Sequence, residues 1–207
     1  MPRPLRVPPG RAGRLWLERR LRTARRGTEL LDRKVRILRA ERDRLGLIAE
    51  RAAVEWTQAY QVADTWLVRA VVLGGERELR LGTPPRLAEV TVSWTDVMGV
   101  RLPAETRVGH PPVADRPSGS SALVEASVAC RHAVSAAVTH AAADAAVRAV
   151  ESELTETTRR LRAITDRWTP RLEEALRDFT QRLEEFDRAE AIRLRWASRG
   201  TTSEARR

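Results

Sequence analysis

Apolar residues recur at seven-residue spacing from residue 14 to residue 72, and this repeat constrains the fold more than any other feature. Such a repeat keeps one stripe on one face of a helix only if the helix supercoils around a partner. The stretch contains no proline, so we expect one helix, roughly 90 Å long at 1.5 Å per residue. Thr28 and Arg42 interrupt its seam. The larger residues of the predicted seam are Leu17, Leu21, Leu31, Val35, Leu38, Leu45, Trp56 and Trp66.

The composition agrees with long, solvated helices, because 32% of the 207 residues are charged and only 4% are aromatic. Residues 1–45 carry 15 basic and 5 acidic side chains, so this segment alone accounts for the net charge of +10. Lys34 is the only lysine, and the basic charge is otherwise arginine. A basic segment suggests nucleic acid or a membrane surface as a binding partner. The dense arginines of this segment are also compatible with an acidic protein as the partner.

The middle of the chain changes character. Residues 1–10 predict an irregular tail, residues 11–73 the first helix and residues 74–119 an insert. Within the insert, residues 76–81 fit a short strand or a last helical turn, residues 88–94 alternate as a strand does, and Gly99 predicts a turn or bulge. From residue 104 to residue 121 the chain reads as a loop.

A second long helix is predicted over residues 120–199, capped by Ser120 or Ser121 and followed by a polar tail, residues 200–207. The apolar residues of this helix alternate at spacings of three and four, and this alternation slips near residues 168–176. Pro170 lies within the slip and predicts a bend. The predicted seam comprises Leu161, Ile164, Trp168, Leu172, Leu176, Phe179, Leu183 and Phe186.

The two helices should fold back on each other as an antiparallel coiled coil, because the insert at residues 74–119 joins them within one chain. This pairing places the basic start of the chain beside residues 173–190, which carry seven acidic residues and three arginines. The predicted fold class is therefore all-α, with two long antiparallel helices and a small β-hairpin or loop insert at one end.

The sequence shows no constellation of residues that would predict catalysis. No glycine-rich phosphate loop precedes Lys34, and His132 and His140 lie eight residues apart, too far for one metal ion. Cys130 reads as a small residue in a helix contact. We therefore expect no catalytic, cofactor or metal site. The longest stretch rich in small and apolar residues, residues 133–150, contains charged residues, so it is not predicted to span a membrane.

Three blocks of sequence resemble the D subunit of the V-type and A-type ATPases, in the family's order over residues 9–195. They are GTELLDRK (residues 27–34), DVMGVRLP (residues 96–103), and the set RRLRAI, PRLE and LEEFDR between residues 159 and 188. Asp32 and Arg162 stand where the family has lysine and asparagine. The matching residues are Gly27, Leu30, Leu31, Lys34, Met98, Gly99, Pro103, Arg159, Arg160, Pro170, Arg171, Leu172 and Arg188.

The resemblance implies a non-catalytic rotor subunit of the central stalk. In this family the coiled coil enters a ring of A and B subunits and rotates as an asymmetric axle. Rotation couples ATP hydrolysis or synthesis to ion translocation, with the proton as the expected ion. The resemblance also implies contacts with the F subunit and with the subunit capping the membrane ring. The complex would lie at the cytoplasmic face of the membrane, without membrane insertion of this chain or binding of nucleic acid.

Two other functions compete with the rotor. A basic coiled coil could bind nucleic acid. That function would need a helix face with basic residues and no acidic ones, preferably with aromatic side chains on which bases can stack. Trp16, Trp56, Trp66 and Trp168 instead lie on or beside the predicted seams. A homodimeric scaffold would pair each seam with a second chain, whereas the short insert favours pairing within one chain.

Overall fold

Two long helical stretches and one β-hairpin form the protein. The computed structural model describes residues 5–84, 86–112 and 120–204. The elements are helix α1 (Gly10–Gly82), strands β1 (Glu89–Val97) and β2 (Val100–Gly109), helix α2 (Ser121–Arg162), a π-helical segment (Ala163–Trp168) and helix α3 (Thr169–Glu204). The predicted all-α fold class with a small β insert is confirmed.

The helix ends differ in detail from the expectation. Gly75 has a left-handed φ of 69°, which only glycine adopts at low cost, and α1 resumes after it as far as Gly82. Residues 76–81 are therefore helical. Ser120 caps α2, because its Oγ accepts the backbone N–H of Leu123 at 3.3 Å. Helix α3 extends to Glu204, beyond the expected end at residue 199.

Some expectations fall outside the described residues. The first part of the N-terminal tail (residues 1–4), residue 85 of the predicted insert, residues 113–119 of the predicted loop and the last part of the C-terminal tail (residues 205–207) lie there.

The chain divides into two compact units. Unit 1 comprises Met1–Arg33 and Thr157–Arg207, and unit 2 comprises Lys34–Glu156. In unit 1 the start of α1 packs against α3 around a core of Leu17, Leu21, Ala24 and Leu172, all at most 8% exposed. Burying a leucine side chain contributes roughly 1.5–3 kcal/mol.

Unit 2 pairs the rest of α1 with α2 through small residues. Ala59 and Ala63 pack against Ala133 and Ala136, and Ala70 packs against Ala122 and Ala126. The contacts on α1 advance along the chain while those on α2 recede, so the two helices are antiparallel. Alanine at each contact lets the helix backbones approach closely.

The insert is a β-hairpin whose β2 strand corrects the predicted loop. Strands β1 and β2 pair antiparallel from Val97↔Val100 to Glu89↔Gly109, so residues 104–109 are strand. Pro103 lies opposite Trp94, where the register shifts, and a proline is tolerated at such a bulge. The adjacent Val100 and Leu102 are buried against Leu38, Leu45, Ala146 and Val150. An isolated two-stranded hairpin is marginally stable, so this packing holds it in place.

Candidate functional site

The N-terminal and C-terminal segments of the chain lie side by side in unit 1. Arg25 Nη2 contacts Glu173 Oε1 at 2.8 Å, and Arg11 Nη2 lies 3.9 Å from Asp187 Oδ2. These pairs join the basic start of α1 to the acidic stretch of α3, as the charge pattern predicted. Each pair is solvent-exposed and contributes little to stability, so its role is to set the antiparallel register.

The predicted seam of α1 is largely buried. Leu17, Leu21, Val35, Leu38 and Leu45 are at most 8% exposed, and Leu31 and Trp66 are partly buried. Trp56 is 38% exposed and lies at the edge of the contact, where its ring stacks on His140 with centroids 5.4 Å apart. An indole is too large for an interface whose neighbouring contacts are alanines.

The predicted seam of the C-terminal half is less uniform. Leu172 is fully buried, while Trp168 is 36% and Phe186 is 60% exposed, so the last two lie outside the core. The partly buried members are Leu161, Ile164, Leu176, Phe179 and Leu183.

The π-helical segment, Ala163–Trp168, ends where the slip predicted near residues 168–176 begins. The backbone N–H of Thr169 donates to the carbonyl of Ile164, five residues earlier instead of four. Pro170 follows at once and is exposed. Pro170, which has no backbone N–H, therefore follows a residue whose hydrogen bond already departs from the regular four-residue pattern of the α-helix.

The family-motif residues are spread over both units. Lys34 Nζ contacts Glu153 Oε1 at 2.6 Å across α1 and α2 in unit 2, whereas Leu30 is 61% exposed. Met98 and Gly99 form the hairpin turn with left-handed φ values of 53° and 80°. Gly27, Leu31, Arg159, Arg160 and Arg171 lie on helices, and Arg188 Nη2 lies 3.5 Å from Glu184 Oε2.

Sequence reasoning missed the contacts that hold the hairpin base on α2. His110 Nε2 lies 3.0 Å from Ser135 Oγ, and Arg131 Nη2 donates to the carbonyl oxygen of Pro111 at 2.9 Å. It also missed Trp94, which is 53% exposed on β1 with Arg101 over its ring at 5.0 Å. No local pattern indicates such long-range pairs.

Unit 2 also exposes apolar surface. A shallow groove between α1 and α2 is lined by apolar side chains, including Val62, Trp66 and Val128, and by the polar side chains of Glu55, Gln58, Glu125 and His132. Val62 is 52% and Val128 is 60% exposed. This groove is therefore a candidate for a protein contact.

The pKa values of Glu41 and Cys130 are shifted, each by an identifiable cause. A hydrogen bond from Arg44, at 2.6 Å from Nη2 to Oε1, lowers the pKa of the Glu41 carboxyl. Burial raises the pKa of the Cys130 thiol, which lies beside the alanine contacts of unit 2. Both shifts are ordinary consequences of an ion pair and of partial burial.

Two further findings concern only the described parts of the chain. In residues 5–84, 86–112 and 120–204, no three potential metal-ligating side chains of histidine, cysteine, aspartate or glutamate come together. Across the same ranges, none of the helices is both long enough and apolar enough to span a membrane.

Comparison with known proteins shows the family of the chain. The sequence profile of the family described as the D subunit of ATP synthase matches residues 15–199. The chain belongs to the ATP synthase D-subunit family. It is 29% identical over 200 residues to the D subunit of the A-type ATP synthase of Archaeoglobus fulgidus, covering 91% of this chain and 94% of that protein. The predicted resemblance is confirmed, and this D-subunit chain is a non-catalytic component of a rotary ATP synthase.

Proposed function

We propose that this D-subunit chain is the central-stalk rotor of a V/A-type rotary ATPase. In this role the paired ends of the chain enter a ring of A and B subunits and turn as an asymmetric axle. Rotation couples ATP hydrolysis or synthesis in the ring to ion translocation, with the proton as the ion. The complex sits at the cytoplasmic face of the membrane.

One observation carries the proposal: the two ends of the chain are paired within one molecule. Leu17, Leu21 and Ala24 share a core with Leu172, and Arg25 reaches Glu173. A shaft that transmits torque needs two helices gripping each other along their length. Because the chain provides both helices, one copy is sufficient to form the axle.

Features of unit 2 support the proposed contacts with the remaining partner subunits. The groove beside Val62, Val128 and Trp66 has the exposed apolar area that the F subunit could cover. The helices of this unit and its hairpin could also rest on the subunit that caps the membrane ring. Neither contact requires insertion into the membrane or binding of nucleic acid.

Native mass spectrometry of the complex purified from membranes tests this function. An axle predicts one copy of the chain per A/B ring, together with the F subunit. Two copies joined as a homodimer would contradict the axle and favour a scaffold.

A further inference from the structure

Four arginines of unit 1 line the face of α1 that points away from its seam. Arg19, Arg22, Arg26 and Arg33, called here the arginine stripe, are all exposed. Their spacings of three, four and seven residues bring them to one side of the helix. At 100° per residue this side lies roughly opposite Leu17, Leu21 and Ala24. The stripe is about 21 Å long at 1.5 Å per residue.

The arginines next to the stripe have partners within the chain. Arg14 contacts Glu18 at 3.0 Å, and Arg25 contacts Glu173 at 2.8 Å. Arg20 instead lies over the Trp16 ring at 5.1 Å. Within the described parts of the chain, the four stripe guanidiniums have neither an ion pair nor a ring contact. Their donors remain available to another molecule.

The surroundings of the stripe favour a protein as that molecule. Leu15 is 52% and Leu30 is 61% exposed on the same side of α1, and exposed leucine beside arginine is the composition of a protein interface. The helix offers a nucleic acid no stacking ring here, because Trp16 is partly buried and covered by Arg20.

We propose that the arginine stripe docks on an acidic protein surface, namely a strip of aspartate and glutamate side chains on the inner wall of the A/B ring. This inference rests on the proposed function and adds the chemistry of the contact. Guanidinium groups spaced along a rod can pair with carboxylates on successive subunits as the rod turns. Exposed pairs of this kind break and re-form readily, because each contributes little by itself.

Association of the full-length chain with the isolated A/B ring tests the proposal. The test variant is R19Q/R22Q/R26Q/R33Q. The matched control R14Q/R25Q/R148Q/R188Q removes the same amount of charge from arginines that already have acidic partners. A third variant replaces the four stripe arginines by lysine. Circular dichroism establishes that each variant keeps its helix content.

We expect the glutamine variant of the stripe to associate about tenfold more slowly than the parent at about 50 mM salt. The control and the lysine variant should stay within about threefold. The difference should shrink at about 500 mM salt, where charges are screened over a few ångströms.

Two outcomes overturn the stripe proposal alone. In one, the glutamine variant binds a ring as fast as the parent does. In the other, the control loses as much as the stripe variant, so that only net charge matters. The parent chain could also bind duplex DNA or anionic phosphatidylserine vesicles more tightly than it binds the ring. If the stripe variant loses that binding, the partner of the stripe is a polyanion and the stripe proposal is overturned. A parent chain that fails to bind the ring at any salt concentration contradicts the proposed function itself.

Discussion

The backbone N–H of Thr169 donates to the carbonyl of Ile164, and this five-residue hydrogen bond absorbs one extra residue in the C-terminal seam. Ile164 and Phe179 both pack on the core of unit 1. They are 15 residues apart, one more than two heptads. A π-helical turn accommodates an added residue without turning the following side chains away from the core. Leu172 is accordingly fully buried.

Removing one residue from the π-helical segment should therefore be tolerated. Deletion of the exposed Asp166 restores the heptad and leaves the free energy of unfolding of the isolated chain within about 1 kcal/mol. Deletion of the exposed Asp178 keeps the extra residue and turns Phe179 and Leu183 away from the core by roughly 100°. We expect that control to lose at least about 2 kcal/mol in urea unfolding. Equal losses for both deletions would contradict the assigned role of the π-helical turn.

Pro170 should limit the stability of the same region. In P170A a backbone N–H becomes available, and we expect the unfolding free energy of the isolated chain to rise by about 1–3 kcal/mol. R177A, an exposed change that leaves the backbone bonds intact, should stay within about 0.5 kcal/mol. If the bend shapes the axle, P170A slows ATP turnover of the assembled complex. Higher stability with unaltered turnover would mean that the bend is incidental.

The hairpin turn carries an unusual residue. Met98 has a left-handed φ of 53°, which asparagine adopts at lower cost than a long side chain does. We expect M98N to raise the protection of the β1 and β2 amides from hydrogen exchange by the equivalent of about 0.5–1 kcal/mol. G99A should lower it by at least about 1 kcal/mol, because Gly99 has a φ of 80°. Unchanged protection in both variants would refute local strain at the turn.

The core between the hairpin and the helices depends on Leu38. This side chain is fully buried beside Leu102 and Val150, so L38A should cost about 2–5 kcal/mol in thermal or urea unfolding. It should also release the hairpin, seen as faster exchange of the β2 amides. The matched change L30A, at a leucine of the same helix that is 61% exposed, should stay within about 0.5 kcal/mol. A loss in L30A as large as that in L38A would contradict this assignment.

The sequence predicted the helices and their antiparallel pairing because heptad spacing reports directly on the buried face of a helix. It placed the slip near residues 168–176, just after the π-helical segment Ala163–Trp168, and it missed the form of the slip, since a π-helical turn depends on which carbonyl Thr169 reaches. It predicted a loop from residue 104 to residue 121 because that stretch is rich in proline, glycine, aspartate and serine and shows no periodicity. In the structure residues up to Gly109 pair with β1, a contact that the local composition does not report.

The candidate site was predicted less completely. Trp56 fits the heptad, yet its exposed position follows from the size of the ring beside close alanine contacts. The arginine stripe is visible in the sequence as dense charge. The sequence alone does not tell which arginines are paired: among the described residues Arg14 and Arg25 contact glutamates, whereas the stripe arginines do not.

Rotation inside the ring is the central claim, and a reversible crosslink tests it most directly. The chain carries C130A, which removes its only cysteine, and R22C at an exposed position of α1. A second cysteine is placed on the facing loop of one of the B subunits. A disulfide forms only when the two Cα atoms come within about 7 Å. Complexes with only one of the two cysteines serve as controls. If the chain is the shaft, oxidation stops ATP turnover of the complex and a reductant restores it. A crosslink that forms in full while turnover continues unchanged would contradict the rotor and leave only the coiled-coil fold.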